Sequence, residues 1–175
     1  MNTPDETARG DISYLEDLNV RQLQAYAAVC LWAFCVHWRI SDDAVRRMVH
    51  YLFSITTSES LPDWDQEAVA LAIIGRYKDV PVSLLESVPE LARPSFLSLV
   101  NDCSEVGWVD MYGKNSGRPL QHVQGCLRVL REHDIELPDL SPLRHLAAGS
   151  GHWGAAVGIE QARAALDEYE MTDVL

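Results

Sequence analysis

The sequence predicts an all-α fold, a compact multi-helical bundle built from antiparallel helical hairpins. Three observations carry this expectation. Apolar residues recur at intervals of three and four in several separate segments, strand-like alternation is nowhere sustained, and proline and capping residues divide the periodic stretches into helix-sized pieces.

The first periodic stretch, residues 19–38, places Leu23, Tyr26, Ala27, Cys30, Leu31, Phe34 and Trp38 on one broad helical face. Asn19 is placed to cap its start, and Ala27, Ala28 and Ala33 raise helix propensity while allowing a neighbouring helix to approach closely. Ser41 reads as the cap of a second helix. Val45, Met48, Val49, Leu52 and Phe53 form its inner face, while Asp42, Asp43, Arg46 and Arg47 remain outside. The short link between the two implies an antiparallel hairpin.

A third, shorter helix is expected after the connector TTSESLP, capped by Asp63 or Asp65 and ending near Gly75. Pro81, Pro89 and Pro94 each lack an amide donor and restrict the preceding residue, so short helices starting at the prolines fit residues 79–103 better than one long helix. Asn115, Ser116, Gly117 and Pro119 mark a loop. Beyond it Val123, Cys126, Leu127 and Leu130 define another helical face. Pro138 and Pro142 break the chain again, and Asp139 or Ser141 is positioned to introduce a short helix. The last helix is expected over residues 155–170, with Ile159, Ala162, Leu166 and Tyr169 inward and Glu160, Arg163, Asp167 and Glu170 outward.

A chain of 175 residues and 19.6 kDa is long enough to bury a sizeable core, and 47% apolar residues disfavour disorder. The organisation expected is an acidic N-terminal arm over residues 1–18 followed by a single helical domain over residues 19–175. The net charge of -12 opposes binding to nucleic acid or to an anionic bilayer. Acidic residues occupy the N-terminus where a signal peptide would be basic, and the apolar stretch over residues 25–38 is too short to span a membrane, so a cytoplasmic protein is expected. Cys30, Cys35, Cys103 and Cys126 lack C-x-x-C or zinc-ribbon spacing and are expected as reduced core thiols. Neither a metal nor a cofactor is expected.

The most unusual segment runs from Glu105 to Gly113. It combines Glu105 and Asp110 with Trp108 and Tyr112, between glycines that permit tight turns. Two carboxylates five positions apart diverge by about 140° on a helix but can converge in another backbone shape, where paired carboxylates can serve as acid and base or bind a cation. His133 and Asp134 are adjacent, yet adjacency on a helix separates side chains by about 100°. His37 and His50 flank apolar faces and read as packed or interfacial. His122 and Cys126 share a four-residue spacing that permits thiol activation, although no third orienting group is evident. Trp64 and Trp153 lie beside turn-rich regions, unlike Trp32 and Trp38. The run GSGHWGAAVG lacks both a Walker lysine and a dinucleotide fingerprint and reads as a hairpin or cap.

Charge decides between the functional readings. Residues 58–110 sum to -7, whereas residues 111–154 sum to +1. The leading expectation is a non-enzymatic acidic protein-binding domain that docks a basic protein partner through Asp63, Trp64, Asp65, Glu105, Trp108, Asp110 and Tyr112. An immunity-type inhibitor that neutralises a basic toxin is its concrete form. The alternatives are a small hydrolase or metal-dependent enzyme using Glu105, Asp110 and a histidine, and a helical structural subunit that forms homo-oligomers through an apolar helix face.

Overall fold

The computed structural model describes residues 12–74, 79–149 and 151–171. The chain forms an all-α bundle, and no strand occurs among the described residues. Its α-helices are α1 (Val20–His37), α2 (Asp43–Ser54), α3 (Leu61–Glu67), α4 (Val82–Ser87), α5 (Arg93–Trp108), α6 (Arg118–Glu132), α7 (Ser141–Arg144) and α8 (Ile159–Glu168). Helices α1, α5 and α6 pack against one another as the centre of the bundle, and α2 covers another side of α1. The third helix stops short of its expected end near Gly75: α3 ends at Glu67, a 3-10 turn follows over Ala68–Ala70 and residues 71–74 are not helical, while Gly75 itself and residues 1–11 of the expected arm lie outside the described residues. Residues 13–15 form a 3-10 turn that buries Leu15 completely in the core.

Helix α1 is more deeply enclosed than one apolar face requires. Every residue from Val20 to Leu31 is buried, including Arg21, Gln22 and Gln24. The three- and four-residue spacing identified the helix but not its central position, because alanines fill the sides that a surface helix would make polar. Arg21 donates to the Ile55 carbonyl at the end of α2, placing a cation where that helix dipole is negative. Burial pulls the Arg21 pKa below its ordinary value. Asn19 caps α1 as expected: its side chain accepts from Gln22 N at 3.0 Å, and Gln22 Oε1 accepts from Asn19 N at 3.0 Å.

Several helix starts differ from expectation. Asp42 caps α2 rather than Ser41, accepting from Ala44 N at 2.7 Å, while the Ser41 hydroxyl accepts from Arg46. The ionised carboxylate is the stronger acceptor. Ser60 caps α3 rather than Asp63 or Asp65, because Pro62 in the first turn has no N–H and Ser60 Oγ reaches Asp63 N at 3.3 Å. Pro81 precedes α4 and Pro94 lies in the first turn of α5, as the proline spacing implied. Helix α8 starts only at Ile159, which is exposed instead of inward. The preceding residues are committed elsewhere: Ala155 N donates to Ala147 O at 3.3 Å and Val157 N to Thr56 O at 2.9 Å.

Candidate functional site

The segment from Glu105 to Gly113 is not a glycine-bounded turn throughout. Residues 105–108 complete the last turn of α5, and Gly107 is helical. The chain turns only afterwards, with Met111 N bonded to Trp108 O at 3.1 Å and Gly113 N to Asp110 O at 3.3 Å. This geometry buries Trp108 and sends Asp110 inward, while Tyr112 points out.

Asp110 receives three donors. Ser116 Oγ lies 2.5 Å from Oδ1, Ser116 N lies 3.1 Å from Oδ2, and His152 Nε2 lies 2.8 Å from Oδ2. The carboxyl side chain has no solvent exposure, whereas His152 retains 26%. Burial alone would raise the Asp110 pKa, but the bonds from Ser116 and His152 outweigh it and hold the carboxyl below its ordinary range.

Local sequence explains the alignment. Asn115 Oδ1 accepts from Gly117 N at 3.3 Å, Gly117 takes φ 69°, and Ser116 Oγ accepts from Arg118 N at 3.2 Å, so Ser116 is fixed at the start of α6. On the opposite loop, Val20 N bonds to His152 O at 2.9 Å, which ties the histidine backbone to the start of α1. Gly154 takes φ 68°, and a Cβ there would collide with the Asn19 amide and the Ala147 carbonyl. Gly154 therefore lets the loop that carries His152 pass closely against Asn19 and Ala147.

A polar cleft adjoins this pair. It is an open cleft of about 330 Å3, lined by Asp17, Asn19, Asn115, Arg144, Gly151 and His152 among others. Asn19 Nδ2 donates to Ala147 O at 2.9 Å, and Gln22 Nε2 donates to Leu143 O and Arg144 O at 3.1 and 2.8 Å. The polar start of α1 thus organises the floor of the cleft.

The residues expected to contact a partner divide between surface and core. Trp64 is 1% exposed and Trp108 5%, so both are corrected from surface anchors to core residues. Trp64 stacks on Tyr51 with centroids 4.6 Å apart and donates from Nε1 to Tyr51 O at 2.9 Å; its centroid lies 6.4 Å from Trp108. Large aromatic rings dominate core energetics, and here the two indoles pack with Tyr51 in the interior. Tyr112 is 75% exposed, and its hydroxyl donates to Asp65 Oδ2 at 2.8 Å. Asp63 is exposed, Asp65 and Glu105 are half-buried, and Asp110 is buried in its bond with His152.

The other histidine expectations resolve differently. His122 Nδ1 pairs with Asp102 Oδ1 at 3.0 Å, while Cys126 Sγ lies 3.5 Å from Cys103 Sγ. Burial pushes the Cys30 and Cys103 thiols far above their ordinary value and Cys35 up to about 12, which favours inert thiols. His133 sets its ring edge-on to Phe34 and Trp38 at 5.3 and 5.4 Å, whereas Asp134 is exposed in a left-handed conformation. Among the described residues, no group of three or more His, Cys, Asp or Glu side chains is arranged to hold a metal. No described helix is long and apolar enough to cross a membrane.

His152 and Ser116 were missed because 42 and 6 residues of sequence separate them from Asp110, with no periodic pattern linking the three. The glycine run around His152 was the available signal, since it marks backbone that must approach another segment closely. Comparison with family models, with curated proteins and with solved structures finds no match.

Proposed function

We propose that this protein is a binding domain whose acidic surface docks a basic protein partner, in the manner of an immunity-type inhibitor. The carrying observation is the exposure pattern over residues 58–97. Glu59, Asp63, Glu67, Asp79, Glu86 and Glu90 are exposed there, and so are Val69, Val82, Leu91 and Leu97. The described cation of that segment, Arg93, is half-buried and donates to the Val88 carbonyl at 3.0 Å. Carboxylates accelerate encounter with a cationic surface, and exposed aliphatic side chains supply area to desolvate on contact. Tyr112, braced by Asp65, adds an aromatic contact with one rotamer already fixed.

The test is a titration of the full chain with a basic nuclease domain and with a neutral protein of similar size, followed by amide chemical shifts. Saturable one-to-one binding at about 0.15 M salt, where long-range attraction is already screened, is expected for the basic domain. Leu91→Asp and Glu86→Lys are expected to weaken it, while Tyr112→Ala removes the aromatic contact. Non-saturating binding, or binding indifferent to all three substitutions, would exclude the proposed surface.

A further inference from the structure

The cleft beside His152 has a chemistry that partner docking does not use. Asp110 is ionised and fully shielded, so each of its close contacts must bring a hydrogen: two come from Ser116 and the third from His152 Nε2. A neutral His152 with its proton on Nε2 carries a lone pair on Nδ1. The ring is one-quarter exposed and belongs to the cleft wall. Arg144, whose Nη2 donates to Tyr14 O at 3.2 Å, and Asn115 lie in the same wall, the first a cation and the second carrying an amide donor, together with the Asp17 carboxylate. A carboxylate that fixes the tautomer of an imidazole, beside a space of about 330 Å3 containing donors, is an arrangement suited to general-base chemistry.

We propose that the cleft is a hydrolytic site for small carboxylic esters, with His152 as the general base and Asp110 as its positioning residue. Water loses a proton to His152 Nδ1 as its oxygen forms a bond to the acyl carbon. The carbonyl electron pair moves onto oxygen, where Arg144 and Asn115 offset the developing charge. That pair then reforms the carbonyl, the bond from acyl carbon to the leaving oxygen breaks, and the proton held on Nδ1 passes to the departing alkoxide. The products are a carboxylic acid and an alcohol, and no oxidant or cofactor is consumed. Asp110 touches neither water nor ester; it keeps the proton on Nε2 and stabilises the imidazolium formed during the reaction.

The experiment uses the full chain with p-nitrophenyl acetate. The wild type is expected to exceed free imidazole at equal concentration. His152→Ala should lower kcat/KM by about 100-fold or more, within the range of a lost general base, and added imidazole should restore part of the rate. Asp110→Asn should lower kcat while leaving KM nearly constant. If Asp110→Asn does not fold, the His152→Ala and imidazole comparison decides the matter alone, because His152 lies in a loop. A folded His152→Ala protein with the wild-type rate, or a wild type no faster than free imidazole, would reduce the pair to a fastener between two loops and overturn the proposal. Binding of a basic protein by His152→Ala should be unchanged, so the two functional proposals fail separately.

Discussion

Gln24 on α1 spans one turn of α5: its Oε1 accepts from Gly107 N at 2.7 Å and its Nε2 donates to Cys103 O at 2.9 Å. Cys103 and Gly107 are four residues apart, the pair that an α-helix ordinarily joins through its own backbone. Gln24 is completely buried, so its amide requires partners, and α5 supplies both. The approach depends on the missing side chain at Gly107. A Cβ there would lie 2.8 Å from Gln24 Oε1, 3.0 Å from Trp64 Cη2 and 3.2 Å from Ile55 Cδ1.

Gly107→Ala is therefore expected to destabilise the fold by about 1–3 kcal/mol through overpacking, despite alanine's higher helix propensity. Urea denaturation measures the effect. The penalty should be smaller in a Gln24→Ala background, since the closest opposing atom is gone. An equal penalty in both backgrounds would mean that the Trp64 and Ile55 contacts set the cost.

Trp64→Ala should cost about 3–5 kcal/mol, because it empties a fully buried site and leaves the Tyr51 carbonyl without its indole donor. Tyr112→Ala, at an exposed position, should leave the denaturation midpoint almost unchanged. The contrast checks the division of the expected aromatic anchors into core and surface. Comparable midpoints for the two variants would contradict it.

Among the described residues, three helices end with a non-glycine residue in the left-handed region. Arg39, Asp134 and Glu170 have φ near 54°, 53° and 55°, and the following Ile40, Ile135 and Met171 donate back to Cys35, Leu130 and Leu166. The conformation disfavours any residue with a Cβ. Glu170→Gly and Arg39→Gly should each raise stability by up to about 1 kcal/mol, detectable as a higher thermal midpoint.

The Asp110 pKa is lower in the folded chain than in the unfolded one, so its contribution to stability is present above the ordinary aspartate value of about 4. It is lost as the pH falls through the depressed folded value, when protonation removes an acceptor from Ser116 and His152. Asp110→Asn should flatten that acid limb of the stability profile. A titration of Asp110 by carboxyl NMR at or above pH 4 would reverse the sign.

Much of the fold was legible in the sequence because helix formation depends on local spacing. The Asn19 cap, the helices over residues 20–37 and 118–132, and the interruptions at Pro81 and Pro94 all follow from interactions within a few residues. The helix C-termini were harder to recognise, because Arg39, Asp134 and Glu170 stand where glycine is the usual signal. For the site, Asp110 was visible as a carboxylate of interest, but the choice of His152 over His122 or His133 was not. Each of those histidines is held by a different long-range neighbour.

The sequence by itself determined an all-α chain, the position of its main helices and an acidic excess over residues 58–110. Those properties arise from local backbone preferences and from counting charges. Tertiary structure alone decided that α1 lies in the middle, that Trp64 and Trp108 are inside, and that Asp110 meets Ser116 and His152. Closing chain segments upon one another settles these outcomes, because burial area and hydrogen-bond partners depend on which distant residues fill the space around each side chain.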